Sequence, residues 1–340
     1  MYRRKQVGAI HELPLQTQNF LQSPSLFDNS INLMNETMNW FKMALQLKGS
    51  VAIKVLPRAF VCSLFGLIIS LIYYWKIPLP WHNLGTITTN VVFSLILGLL
   101  LVFRTNTAYD RFWEGRKAWG TLVINIRSLA RQIYTAVAAE EETDKTEKNY
   151  QLKLLVAFAI ATKLHLRRET VTEELEPWLT PTELVKLKQV KNPPLEIIRW
   201  LGDYLHKQGE KGCLNSYQLT AMNQLIDNLV EGLTGCERIL NTPIPLAYVI
   251  YLKRLLLIYC FFLPFQLVVN SEWLTAFLVF LISFALFGIE EIGNEIQEPF
   301  GYDPNDLPLD QICRTIQSNL EDIITLFDSN NSENELENLV

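Results

Sequence analysis

The chain has 340 residues, of which 49% are hydrophobic, 11% aromatic and 19% charged, a charged share below the roughly 25% of soluble domains. That composition excludes a disordered, collagen-like or low-complexity polypeptide. Thirty Lys and Arg against 35 Asp and Glu leave a net charge of -5. This argues against a nucleic-acid partner, because neutralising phosphates needs a basic surface.

Residues 1–56 are read as a cytoplasmic N-terminal segment without a signal peptide, since no compact apolar core precedes a small-residue cleavage site. Two charge-free runs follow, Ala59 to Trp75 (17 residues) and Thr86 to Phe103 (18), and two more come late, Leu255 to Ser271 and Trp273 to Ile289 (17 each). Each is at the short end of what crosses a bilayer core of about 30 Å at 1.5 Å per residue. One alone could be a buried core helix; two close pairs predict four transmembrane helices, in 57–103 and 255–290. The connections within the pairs carry one Lys, whereas Lys42, Lys48, Lys54, Arg58, Arg104, Arg111, Arg116, Lys117, Lys253 and Arg254 lie on the other flanks. The positive-inside bias therefore places both termini and the long middle region in the cytoplasm.

Residues 104–254 are predicted to be helical. One helix continues the second run to about Thr135, and Glu140 to Asn149 is expected to be an exposed loop. A helix over Tyr150 to Arg168 follows, then short pieces around Pro177, Pro181 and Pro193–Pro194. Another helix spans about Leu195 to Lys207, and a longer one begins with Ser216 as N-cap and ends before Pro243. Residues 291–328 form a cytoplasmic C-terminal segment, and 329–340, rich in Asn, Glu and Ser, are expected to be disordered.

Enzyme chemistry finds no footing. The five cysteines form no CxxC pair, the four histidines form no HExxH, and P-loop, GxGxxG and GxSxG motifs are absent. The four apolar runs contain no ionisable Asp, Glu, Lys, Arg or His, whereas a membrane-embedded enzyme or proton pump normally keeps such groups inside its spans.

Leu95, Leu99 and Phe103 stand at i, i+4 and i+8 and share one helix face. Two readings of that face are open: contact with lipid and neighbouring helices, or a pore wall. In the second, copies arranged about an axis stack three apolar rings into a neck that closes by dewetting. A polar segment follows, from Arg104 to Glu114.

That segment carries a resemblance. Val102 to Gly120, VFRTNTAYDRFWEGRKAWG, is similar to the corresponding stretch of bacterial bestrophin channels. Lys48-Gly49-Ser50-Val51, Cys236-Glu237-Arg238-Ile239 with Thr242-Pro243-Ile244-Pro245-Leu246-Ala247-Tyr248, and Glu298 to Pro308 resemble the family in the same order. The resemblance implies an all-α membrane protein with four transmembrane helices per subunit, a large helical cytoplasmic region and a bestrophin-type pentameric channel. It places the neck on Leu95, Leu99 and Phe103, beside a pore-adjacent motif of Arg104, Arg111, Trp113 and Glu114. A second, cytoplasmic constriction is implied near Tyr217 to Leu219.

Eukaryotic members bind calcium in an acidic clasp after the fourth helix. Asp303 and Asp306, with Glu298 nearby, match part of it, but Pro304 and Asn305 replace acidic positions, and the segment reads equally as a turn. Glu291, Glu295 and Glu298 share a helix face, which is most often simply solvated. No other cofactor is implied. The partners are further copies of the chain, membrane lipid and permeant ions. The implied function is passive anion conduction (chloride, with bicarbonate as a further candidate) in a bacterial inner membrane or a photosynthetic internal membrane. A cation channel and a secondary transporter built around Pro264 are the alternatives. Arg104 either faces the lumen, where it would concentrate anions, or pairs with Glu114 or a neighbouring subunit.

Overall fold

In the computed structural model, residues 46, 49–78, 80–137 and 142–337 are described, and the elements below belong to the unit 51–340. The N-terminal segment 1–56 and the Lys48–Val51 motif therefore lie largely outside the described residues. Every regular element among the described residues is helical.

Helix α1 is Ala52–Tyr74, α2 Trp81–Thr89, α3 Val91–Ala136 and α4 Glu142–Leu166. After a 3-10 turn at Glu173–Trp178 come α5 Pro181–Leu187, α6 Pro193–Glu210 and α7 Ser216–Asn241. Then follow α8 Leu246–Ser271, a second 3-10 turn at Glu272–Leu274, α9 Thr275–Ile296 and α10 Leu309–Glu337. Among the described residues, three stretches are long and apolar enough to cross a membrane: Ala52–Tyr74, Val91–Ala136 and Leu246–Ile296. The last is interrupted at Glu272, whose φ is +41°. α8 and α9 pack against each other, and α9 also packs along α1.

The connection expected between the first two runs contains a helix of its own. Asn90 splits the run Thr86 to Phe103 by capping α3, its side chain accepting from the Val92 and Phe93 amides at 2.9 and 3.2 Å. The residues before it form α2, which packs on α8. There Gly85 lies so close that an added Cβ would meet Gln266 Cα at 2.9 Å. α8 continues through Pro264 without a break, so the broken helix that the transporter alternative would use is not there.

Other boundaries shift for local reasons. Glu142–Asn149, expected to be a loop, is the start of α4, where acidic side chains suit the positive helix end. The N-cap of α7 is Asn215 rather than Ser216, in a reciprocal box with Gln218. The helix α10 runs through Glu337, into the segment expected to be disordered; once nucleated, a helix gains a hydrogen bond for each residue added.

The largest core lies outside the membrane segments. Leu122, Ile126, Leu129 and Ile133 of α3 are buried there with residues of α4, α6, α7 and α10. A smaller cluster joins Leu97 and Leu101 of α3 to Leu252, Leu255 and Leu256 of α8 and Phe287 of α9.

Candidate functional site

α3 has two faces. At about 100° per residue, Leu97, Leu101, Arg104, Ala108 and Gly115 fall on one side and are buried against the rest of the subunit. Leu95, Leu99 and Phe103 fall on the opposite side and are 60%, 45% and 58% exposed. Val92, Ile96 and Val102 flank them, and all three are exposed. Further along, the same stripe becomes polar through Asn106, Asp110, Trp113 and Lys117, also exposed. Among the described residues, this face is left largely uncovered, and it can meet lipid, water or another copy.

The polar segment after the apolar stretch fixes the orientation of α3. Arg104 is 1% exposed, on the face away from Leu95, Leu99 and Phe103. Its guanidinium donates to Asn294 Oδ1 at 2.9 Å and Gln297 Oε1 at 2.8 Å, at the end of α9. It therefore neither faces the exposed stripe nor pairs with Glu114. Arg111 donates to the backbone carbonyls of Ile239 at 2.7 Å and Thr242 at the end of α7, and to Gln297 O at 3.1 Å. One fixed guanidinium fork thus satisfies carbonyls left open at two helix ends. Glu114 pairs with Arg238 of α7. Trp113 alone of the four motif residues lies on the exposed stripe, half-exposed.

The acidic loop after α9 is organised around an ammonium group. Lys54 Nζ lies 3.0 Å from Glu295 Oε1 and 3.1 Å from Asp303 Oδ1, and Asn305 Nδ2 donates to Glu295 Oε2 at 2.7 Å. Asp306 Oδ2 accepts from the Asp303 amide at 2.8 Å, while its Oδ1 is buried without a partner. Burial, with Asp303, Glu295 and Glu298 nearby, pushes the Asp306 carboxyl up to about 6. Glu298 is exposed and outside this group. Among the described residues no three His, Cys, Asp or Glu side chains converge as metal ligands. Calcium takes six to eight oxygens; here Glu295 and Asp303 share the Lys54 ammonium.

A family model described as Bacterial/Fungal Bestrophin protein matches residues 32–322. The chain belongs to the bestrophin family. A voltage-dependent anion channel-forming protein of Nostoc sp. is 56% identical over 288 residues, covering 85% of this chain and 92% of that protein. Its namesake in Synechocystis is 51% identical, covering 84% and 92%. The crystal structure of a bacterial bestrophin homolog from Klebsiella pneumoniae superposes with a TM-score of 0.69 at 31% identity, covering 78% of this chain and 97% of that one.

This bestrophin is accordingly an integral membrane protein, and several ion pairs that hold its helices together were not visible from residue spacing. Of Glu291, Glu295 and Glu298, expected to form a solvated face, Glu291 and Glu295 are buried, as is Glu290, and only Glu298 is exposed. Arg58 Nη1 lies 2.9 Å from Glu291 and 3.6 Å from Glu290, and Lys253 Nζ 3.5 Å from Glu290. The signal was in the sequence: Lys54, Arg58 and Lys253 follow or precede apolar runs, but positive-inside counting uses them only as a tally. In the large core beyond the apolar helices, Lys163 is 2% exposed and bridges Glu174 and Asp310 at 2.6 and 2.8 Å. Hydrogen bonds from Arg167 and Lys163 hold the Asp310 carboxyl down at about 2. Within Tyr217 to Leu219, Tyr217 is 88% exposed in the first turn of α7, whereas Leu219 packs against Gly209.

Proposed function

We propose that this bestrophin is a passive anion channel, not an enzyme, whose pore wall is the exposed stripe of α3. The observation that carries the reading is the pairing of two opposite faces on one helix. Leu97, Leu101 and Arg104 are locked into the subunit, while Leu95, Leu99 and Phe103 stand about half-exposed on the opposite side among the described residues. One copy cannot enclose a pathway with a single stripe; a ring of copies can, with three apolar layers forming a neck that excludes water until it opens. The family resemblance supplies the number five. The anion-channel names of relatives more than half identical to this chain support the ion class.

The membrane arrangement follows from length. Leu246–Ile296 spans 51 residues, about 76 Å if it were one straight helix, against a bilayer core of about 30 Å. The break at Glu272 and the side-by-side packing of α8 and α9 support two crossings there, hence four per subunit, with both termini cytoplasmic. In the loop after α9, Lys54 does the work of a neutralising cation, so conduction proceeds without bound calcium.

The test is reconstitution of purified protein in planar bilayers under a KCl gradient, with its mass measured in detergent. A pentamer whose current reverses near the chloride equilibrium potential is expected. Reversal near the potassium potential would overturn the anion assignment, and a monomer would overturn the pore.

A further inference from the structure

At the end of the membrane segment remote from the cytoplasmic helices, the C-terminal turn of α1, the start of α2 and the α8–α9 junction enclose a cavity of about 570 Å³. Its walls include Tyr73, Tyr74, Lys76, Trp81, Glu272 and Trp273. The volume is within the range of small-molecule sites, roughly 300–1,000 Å³.

Aromatic residues are ordinary at a membrane interface, but a belt of rings turned to lipid would not need the arrangement seen here. The rings pair between elements: Tyr73 meets Trp81 edge to face at 5.2 Å, and Tyr74 meets Trp273 at 5.3 Å with the planes tilted by 49°. The two charged wall residues are also the two with left-handed backbones in this region, Lys76 at φ +55° and Glu272 at φ +41°. At Lys76 this is the left-handed turn that closes α1, with the Lys76 amide donating to Tyr73 O at 3.0 Å; at Glu272, which is not glycine, the conformation is held at a cost by its surroundings. Ser70 Oγ helps hold the second, donating to Glu272 O at 3.0 Å. Neither the Lys76 ammonium nor the Glu272 carboxylate has an ion-pair partner among the described residues, although both border the same cavity.

We infer that this cavity binds a zwitterion, an ammonium and an anionic group a few bonds apart. The ammonium is held by Glu272 and the faces of the surrounding rings, and the anion by Lys76. Ring faces attract cations, and cages of aromatic residues with a carboxylate are suited to quaternary ammonium groups. Lys76, without an ion-pair partner among the described residues, supplies the anion-binding charge that a simple cation site would lack. The same chemistry comes from a soluble molecule or from a lipid headgroup, and the site's place at the end of the spans gives access to both.

The test uses the full-length channel in nanodiscs of phosphatidylglycerol. In the soluble arm, phosphocholine is titrated calorimetrically against wild type, Glu272→Gln and Lys76→Met. In the lipid arm, native mass spectrometry measures retention of phosphatidylcholine over phosphatidylglycerol by the same three proteins. Both substitutions alter exposed side chains, and an unchanged melting temperature confirms the fold. Saturable binding of the zwitterion in either arm, weakened about tenfold or more by each substitution, is expected; the arm that responds identifies the source. Inorganic phosphate and tetramethylammonium, each offering one charge, should bind at least about tenfold more weakly than phosphocholine. No saturable binding in either arm, binding indifferent to both substitutions, or equal binding of the one-charge probes would overturn the inference. None of these readouts depends on ion conduction.

Discussion

Replacing Leu95, Leu99 and Phe103 together by Ala separates the pore reading from a merely structural one, because the two faces of α3 predict opposite outcomes. The three side chains are 45–60% exposed in the subunit, so their truncation opens no cavity and each should alter stability by no more than about 0.5 kcal/mol. On the other face, Leu97 and Leu101 are buried against α8 and α9, and either one replaced by Ala should cost about 2–5 kcal/mol. The effect on current runs the other way. Removing the apolar layers widens the neck and weakens dewetting, and every 1.4 kcal/mol taken from the permeation barrier is worth about tenfold in rate. The triple variant should therefore keep the wild-type melting temperature and conduct several-fold more, while Leu97→Ala melts earlier. Thermal melting of the detergent-solubilised oligomer and single-channel recording read the two effects separately. An unchanged current through a folded triple variant, or a triple variant as unstable as Leu97→Ala, would refute the argument.

Three further outcomes are expected. Gly85→Ala should destabilise the oligomer by about 1–3 kcal/mol in thermal melts, since the new Cβ meets the Gln266 backbone at 2.9 Å, outweighing a gain in helix propensity of at most about 1 kcal/mol. Calcium and a chelator should give equal currents in wild type, because Lys54 occupies the space between Glu295 and Asp303; a calcium-dependent current would contradict this. The two shifted carboxyls act in opposite pH windows. Asp306, raised to about 6, binds its proton more tightly when folded, so stability rises as pH falls from about 6 to about 4, and Asp306→Asn should abolish that rise. Asp310, lowered to about 2, stabilises the fold above about pH 4 and loses that contribution as pH falls toward 2, which melting curves of Asp310→Asn should lack.

Periodicity carried the part of this structure that depends on one helix at a time. The spacing of Leu95, Leu99 and Phe103 marked a common face, and the absence of any breaker after Phe103 predicted a helix to about Thr135, against an observed end at Ala136. What it could not supply was the partner across a gap in sequence. Arg104 follows the apolar stretch directly, which suits a lumenal or interfacial arginine equally well; only the approach of Asn294 and Gln297, some 190 residues later, turns it inward. Glu291 and Glu295 looked like part of a wet helix face because their bases come from α1. α2 was hidden for a different reason: Trp81 to Thr89 has no charge and no apolar stripe strong enough to separate it from the run that follows, so the cap at Asn90 is the sole local sign of a boundary.

The length of α3 gives the neck a mechanical context. Its 46 residues make a rod of about 70 Å, so the segment carrying Leu95, Leu99 and Phe103 is continuous with the segment buried in the largest core at Leu122, Ile126, Leu129 and Ile133. Between these two anchored ends, Arg104 and Arg111 tie the rod to the end of α9, and Arg111 and Glu114 tie it to α7. An α-helix without a proline or a glycine pair in this stretch has no hinge. A rotation that moves the neck side chains off the axis must therefore be shared with α7 and with the end of α9, or break a tether. In the channel proposed above, opening of the neck is thus energetically linked to the packing of α7 and the end of α9, and the tethers at Arg111 and Glu114 are where that link is set.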